Sequence, residues 1–175
     1  MAVDLAARIR DIPDFPKPGI VFKDITPLLL DAGALDAAIG QLAEWARPLD
    51  VDLVVAAEAR GFILGAALAR ELGAGFVPAR KPGKLPHETV SAEYVLEYGV
   101  DALEMHADAV AGGARVLVHD DVLATGGTAR ATCDLVERLG GQVVGCAFLV
   151  ELGFLRGRER LEGYDVKALV TYDGE

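Results

Sequence analysis

The segment VLVHDDVLATGGT, Val116 to Thr128, commits the chain to one local architecture. Val116, Leu117 and Val118 make an apolar strand pattern that runs into two adjacent carboxylates, Asp120 and Asp121. A small turn follows, Thr125-Gly126-Gly127-Thr128, and a helical pattern then runs from Ala129 to Leu139 before Gly140-Gly141 ends it. A strand that feeds a helix through so short a turn is half of a βαβ unit, and such units demand a parallel sheet with right-handed crossovers. The rest of the chain repeats the alternation. Leu53 to Ala57 reads as a buried strand, Phe62 to Leu72 as a helix ended by Gly73, and Gly75 to Ala79 as a strand. Arg115 to His119, Val143 to Val150 and Val166 to Thr171 read as further strands. Leu35 to Arg47 carries apolar residues at helical spacing. Leu5 to Arg10 and Leu155 to Leu161 read as short helices. The fold class is therefore α/β, with a mostly parallel twisted sheet flanked by helices.

Two stretches break the alternation. Arg80 to Glu88 holds two prolines, a glycine and several charges, and reads as a loop. Ala92 to Tyr98 then alternates Tyr94, Leu96 and Tyr98 with Glu93, Val95 and Glu97, which is strand character. No repeat or low-complexity linker divides the sequence, so residues 1–175 are expected to form one domain. At 175 residues such a domain can bury about 70% of its unfolded surface.

Charge narrows the partners. The net charge of −10 argues against nucleic acid and anionic membranes, both of which need clustered positive charge. No apolar run is long enough to cross a membrane, and no secretory leader is evident at the N-terminus. Cys133 and Cys146 lie too far apart in sequence for a paired metal motif and read as small buried hydrophobes. Cytoplasmic location is expected by default. No His, Cys and carboxylate cluster suggests zinc.

In open α/β sheets ligands bind beyond the carboxyl ends of the strands. The acid pair and Glu58 both fall at such ends. The glycines of Thr125 to Thr128 let the backbone approach a ligand closely, and successive amides, threonine hydroxyls and a helix start make a phosphate cradle. A TGGT turn alone also serves as a plain helix cap. Two adjacent aspartates closing a buried strand repel each other and add nothing to the fold, which favours the ligand reading. Carboxylates there can accept hydrogen bonds from neighbouring sugar hydroxyls, or hold Mg²⁺ through water.

This segment resembles the phosphoribosyl-pyrophosphate (PRPP) signature of the type I phosphoribosyltransferases. Three further stretches resemble the adenine-specific branch of that family: FPKPGIVFKDITPLL (Phe15 to Leu29), AEARGF (Ala57 to Phe62), and RKPGKLP with SAEYVLEYG (Arg80 to Gly99). The resemblance runs from about Arg8 to Tyr172. It implies a glycosyltransferase of purine salvage: adenine plus PRPP gives AMP and pyrophosphate, with Mg²⁺ accompanying PRPP, in a homodimer. It also implies an N-terminal hood over residues 1–34 and a flexible catalytic loop over residues 80–99.

The resemblance distributes roles. Ala124, Thr125, Gly126, Gly127 and Thr128 would hold the 5-phosphate, and Asp120 and Asp121 the ribose hydroxyls. Glu58, Ala59, Arg60, Arg80, Lys81 and Lys84 would meet pyrophosphate, with a cis peptide bond between Glu58 and Ala59. Val21, Phe22 and Lys23 would place the base. Glu97, Arg60, Lys84 and Tyr98 are the catalytic candidates, with Glu97 moving the proton and Tyr98 shielding the site. Metal is assigned to no side chain directly, only to PRPP and through water to Asp120 or Asp121. Two positions depart from the pattern. Lys23 stands where many relatives carry Arg, and His119 stands where an aliphatic residue is usual; a hydrogen-bonded strand histidine is expected there. Trp45 reads as packing, and His87 and His106 as solvent-facing.

Overall fold

The computed structural model describes residues 3–96 and 99–174, with the backbone alone at Leu96. Five parallel strands make the central sheet, in the order β4-β3-β7-β8-β9. In chain order these are β3 (Leu53–Ala57), β4 (Gly75–Ala79), β7 (Arg115–Leu123), β8 (Gln142–Leu152) and β9 (Val166–Tyr172). Helices α2 (Ala32–Ala46) and α3 (Gly61–Leu72) cover one face, and α4 (Gly127–Arg138) covers the other. The alternation within β7 shows the division. Val116 and Val118 pack with Cys133 and Val136 of α4, whereas Leu117 packs with Leu42 of α2 and Leu68 of α3. Burial on both faces explains why these strands read as unbroken apolar runs.

Outside the sheet lie two antiparallel hairpins. One joins β1 (Arg10–Ile12) to β2 (Phe22–Asp24), and short helix α1 (Thr26–Leu30) follows it. The other joins β5 (Thr89–Leu96) to β6 (Gly99–His106). Leu103 and Met105 of β6, with Tyr94 of β5, pack into the same core cluster as α4.

Several boundaries differ from the sequence expectation. Helix α2 starts at Ala32, because Asp31 caps it by accepting a hydrogen bond from the Ala34 amide at 3.0 Å; apolar spacing does not register a cap. Helix α4 starts at Gly127, so the second half of the TGGT turn already belongs to the helix and Gly126 is its N-cap. Leu5 to Arg10 is a 3₁₀ turn at Ala6–Arg8 followed by β1, and Leu155 to Leu161 is a pair of 3₁₀ turns rather than one helix. Strand β6 was not foreseen, although its inward Leu103 and Met105 alternate with Ala102, Glu104 and His106. Strand β7 continues past the acid pair to Leu123. It pairs with β3 only as far as Ala56 opposite His119, while pairing with β8 runs on to Leu123 opposite Glu151. Asp120 and Asp121 therefore stand just past the last β3–β7 pair, on a strand still held by β8.

Trp45 packs beneath the sheet as expected. Cys133 and Cys146 are both fully buried free thiols that share a hydrogen bond, their sulfurs 3.7 Å apart. Among the described residues no helix is long and apolar enough to cross a membrane.

Candidate active site

The cradle comes first, because the local sequence builds it. After β7, Gly126 takes a left-handed conformation (φ +83°) and caps α4. A side chain there would strike the carbonyl of Gly157, and one at Gly157 would strike the carbonyl of Ala124. The two glycines thus let the 3₁₀ segment after β8 press against the turn from behind. Arg158 holds that segment in place, its Nε 2.7 and 2.9 Å from the two carboxylate oxygens of buried Glu151 on β8. A cavity of about 60 Å³ lies over the turn, lined by Ala124 to Thr128, Asp120 and Ala129. Backbone amides at a helix start face it, the arrangement that binds phosphate.

Next to the cradle lies the acid pair. The Asp121 amide donates to Asp120 Oδ1 at 2.9 Å. Gly61 opens α3 directly against this carboxylate: a Cβ there would come within 2.8 Å of Asp120 Oδ1. Burial, reinforced by the neighbouring Asp121 charge, pushes the Asp120 carboxyl well above the ordinary aspartate range. Asp121 is buried too, with its Oδ2 2.8 Å from Arg60 Nε. The Arg60 guanidinium lies over the Phe22 ring, 4.9 Å from its centroid. One continuous contact path therefore joins the hood to the acid edge.

The Glu58–Ala59 peptide bond is cis, as the resemblance implied. Glu58 gathers the basic loop. It accepts from the Lys81 amide at 2.6 Å and from Lys84 Nζ at 3.0 Å, and Arg80 Nε lies 3.4 Å away. Burial alone would raise the Glu58 carboxyl; the Lys81 amide, Lys84 and Arg80 outweigh it and hold the group below its usual value. Lys81 turns its ammonium elsewhere, to Asp101 and the Tyr94 hydroxyl.

A larger cavity of about 390 Å³ joins these parts. Val21, Phe22 and Lys23 line one side, Glu58, Ala59, Arg60 and Lys81 another, and Asp120, Asp121, Ala124 and Thr128 the floor. Arg80 and Lys84 sit at its margin on Glu58. Glu97 and Tyr98 lie outside the described residues. Tyr94, Leu103 and Leu152 also line the cavity, and Gly157 braces the cradle. Sequence reading assigned none of these to the site: Tyr94 read only as part of an alternating strand, and Leu103, Leu152 and Gly157 come from β6, β8 and the 3₁₀ segment, outside every quoted motif.

Lys23 lines the cavity, and its ammonium lies 2.7 Å from Asp11 Oδ1. Two expectations are corrected. His119 is a fully buried strand residue, but neither ring nitrogen makes a well-aligned hydrogen bond, despite the Ala147 backbone beside it. Burial lowers its pKa to about 4 and keeps it neutral. His87 is exposed, but His106 is only partly so; the two rings meet edge to face at 5.8 Å, and the Nε2 of His106 is buried.

Comparison with known proteins agrees with this geometry. The phosphoribosyl transferase domain family matches residues 29–170. An adenine phosphoribosyltransferase of Rubrobacter xylanophilus is 62% identical over 166 residues, covering 94% of this chain and 90% of that one. The crystal structure of adenine phosphoribosyltransferase from Thermoanaerobacter pseudethanolicus superposes with a TM-score of 0.94 at 57% identity, covering 96% of this chain and 98% of that one. The Saccharomyces cerevisiae enzyme, solved with an imino-altritol bisphosphate and adenine, superposes with a TM-score of 0.89 at 40% identity over 94% of this chain and 96% of its own. The chain belongs to the phosphoribosyltransferase family and, within it, to the adenine phosphoribosyltransferases.

Proposed function

We propose that the protein transfers the 5-phosphoribosyl group of PRPP to adenine, releasing AMP and pyrophosphate, and so serves purine salvage. The observation that carries this reading is a cavity lined by the hood and the acid pair that meets the phosphate cradle at Ala124 and Thr128. Such a transfer passes through an oxocarbenium-like transition state, by analogy with other glycosyl chemistry. Covalent help from the protein is not needed. It must align two reactants, neutralise the leaving group and exclude water.

Ala124 to Thr128 hold the 5-phosphate, and the acid pair holds the ribose hydroxyls. A carboxyl that retains its proton, as burial favours at Asp120, can donate as well as accept. Arg60, Arg80, Lys81 and Lys84 serve pyrophosphate. In the structure Glu58 keeps Arg80 and Lys84 at the mouth of the cavity, and the more highly charged pyrophosphate would compete for them. Phe22 stacks on the flat base while the backbone near Val21 reads its edge. Glu97 moves the purine proton, and Tyr98 shields the site as the loop closes.

Among the described residues no group of three or more His, Cys, Asp or Glu side chains is placed to hold a metal ion. Asp121 is already paired with Arg60, and Asp120 is driven toward its neutral form. Both facts fit magnesium that arrives on PRPP and meets the acid pair through water. When bound it offsets the charge of the departing pyrophosphate. We further read residues 1–175 as one unit working as a homodimer, with residues 1–34 as hood and 80–99 as closing loop. The free thiols suit a reducing compartment, and we place the protein in the cytoplasm.

Formation of AMP from adenine and PRPP, with and without magnesium, tests the reaction. Hypoxanthine, xanthine and orotate run beside adenine, and turnover that favours a 6-oxo base would overturn the substrate. Sedimentation equilibrium tests the dimer.

A further inference from the structure

Lys23 sits on β2 between Phe22, which faces the cavity, and Asp24. Successive side chains of a strand point to opposite faces. Phe22 and Lys23 both line the cavity, but the Lys23 ammonium ends on Asp11 and Tyr172. Asp11 is directly opposite Lys23 on β1 and receives its ammonium at 2.7 Å. The ammonium also lies 4.1 Å above the centroid of the Tyr172 ring. Tyr172 ends β9, the edge strand of the central sheet, and pairs there with Leu152, which lines the cavity. The Lys23 side chain is 6% exposed.

A lysine so enclosed is costly unless its charge is met. An opposite charge across the hairpin and an aromatic face beneath it meet that need. Asp11 belongs to the hood and Tyr172 to the sheet, so the ammonium bridges two bodies that share no strand pairing. The contact is short and has a fixed direction, and it lies one residue from the ring proposed to stack on the base.

We propose that Lys23 is a positioning residue: it latches the hood to the end of β9 and thereby fixes Phe22 and Val21 over the base site, without touching the base. The proposal rests on the adenine reading above for its kinetic test, and on the fold alone for its physical test. Lys23→Arg keeps a cation able to reach both carboxylate and ring; Lys23→Met keeps the stem and removes the charge.

Steady-state kinetics of Lys23→Met should show KM for adenine raised about tenfold, with KM for PRPP within about twofold and kcat within about threefold. Tyr172→Leu, on the far side of the latch, should show the same selective rise. Lys23→Arg should restore most of it, and the double variant Lys23→Met with Tyr172→Leu should be no worse than the more severe single one. Amide hydrogen exchange reads the latch with no substrate present. Exchange over residues 10–24 should quicken about tenfold in Lys23→Met and Tyr172→Leu but not in Lys23→Arg. If Lys23→Met fails to fold, Tyr172→Leu and Asp11→Asn carry both measurements. An unchanged adenine KM in Tyr172→Leu, equal rises for both substrates, or unaltered exchange would each overturn the latch. Lack of adenine turnover by the unaltered protein, with exchange responding as expected, would instead overturn the substrate reading and leave the latch standing.

Discussion

The two charged ends of the proposed donor site are built on opposite principles. The phosphate cradle is backbone: amides at the start of α4, a left-handed glycine, and a second glycine pressing from behind. Its two glycines are buried, it is rooted at the end of β7, and it carries no formal charge of its own. The basic loop is side chain: Arg80 and Lys84 gathered on Glu58, with side-chain exposures of 34% and 50%. A cradle of amides is organised before any ligand arrives, so it spends little ordering on binding. Long cations on a loop are adjustable and screened by solvent, which suits a group that must capture pyrophosphate and then release it. One end anchors and the other exchanges.

The largest effect should come from disturbing the anchor. Gly126→Ala forces a side chain into the left-handed region and against the Gly157 carbonyl. We expect kcat/KM for PRPP to fall at least about 100-fold, with a loss of about 2–4 kcal/mol in stability, checked by steady-state kinetics and denaturant unfolding. A near-normal enzyme would show that the anchor does not depend on this turn.

Acid should separate the regions next. His119, with its pKa lowered to about 4 from 6.5, is on the sheet side. Its folded form binds its proton less readily than the unfolded chain, so its contribution to stability falls as pH drops from 6.5 toward 4. The loss approaches about 3 kcal/mol, and His119→Leu should remove it from the difference between the two unfolding curves. Glu58, on the loop side, is also held below its ordinary value, which is 4.5. Its contribution is present above that value and lost only as pH falls through the folded pKa, at lower pH. Between pH 6.5 and 4.5, therefore, the variant pair should report the sheet side alone.

Asp121→Ala removes a buried carboxylate at the boundary between anchor and loop. The Kd for PRPP should rise about 30-fold, as loss of a charge-assisted hydrogen bond implies, while adenine binding stays within about twofold. Calorimetry decides; an unchanged PRPP affinity would remove the sugar assignment. The smallest effect should follow Lys84→Ala. A half-exposed cation contributes little to folding, so unfolding should shift by no more than about 0.5 kcal/mol, with kcat/KM for PRPP down about fivefold. A loss as large as that of Gly126→Ala would erase the contrast between the two ends.

Much of this was legible in the chain. Strand β3 matches its sequence reading because a parallel strand buried on both faces is an unbroken apolar run, edge strand β4 matches because it is short and begins just after the glycine that ends α3, and α3 ends at Gly73 as read. Strand β6 escaped because only Leu103 and Met105 carry its inward alternation, too few apolar positions to register a strand in the sequence. The site divides the same way. Asp120, Asp121 and Ala124 to Thr128 are contiguous, so spacing revealed them. Tyr94, Asp101, Leu152 and Gly157 contribute from separate elements, and no local pattern marks a residue whose partner is dozens of positions away. Lys23 marks the boundary: its place beside Phe22 was evident, but the direction of its ammonium was not.

The sequence by itself determined the alternating architecture, the cradle and the acid pair, since each is set by neighbours within a few residues through periodicity, turn chemistry and charge repulsion. Only the tertiary structure decided what those groups face. It ended the β3–β7 pairing at His119, one residue short of the acid pair, brought Gly157 against the cradle, buried His119 without a well-aligned hydrogen bond at either ring nitrogen, and set the Lys23 ammonium between Asp11 and the end of β9. These outcomes depend on which elements pack together and on the dielectric they create, and packing between distant segments leaves no period in the chain to read.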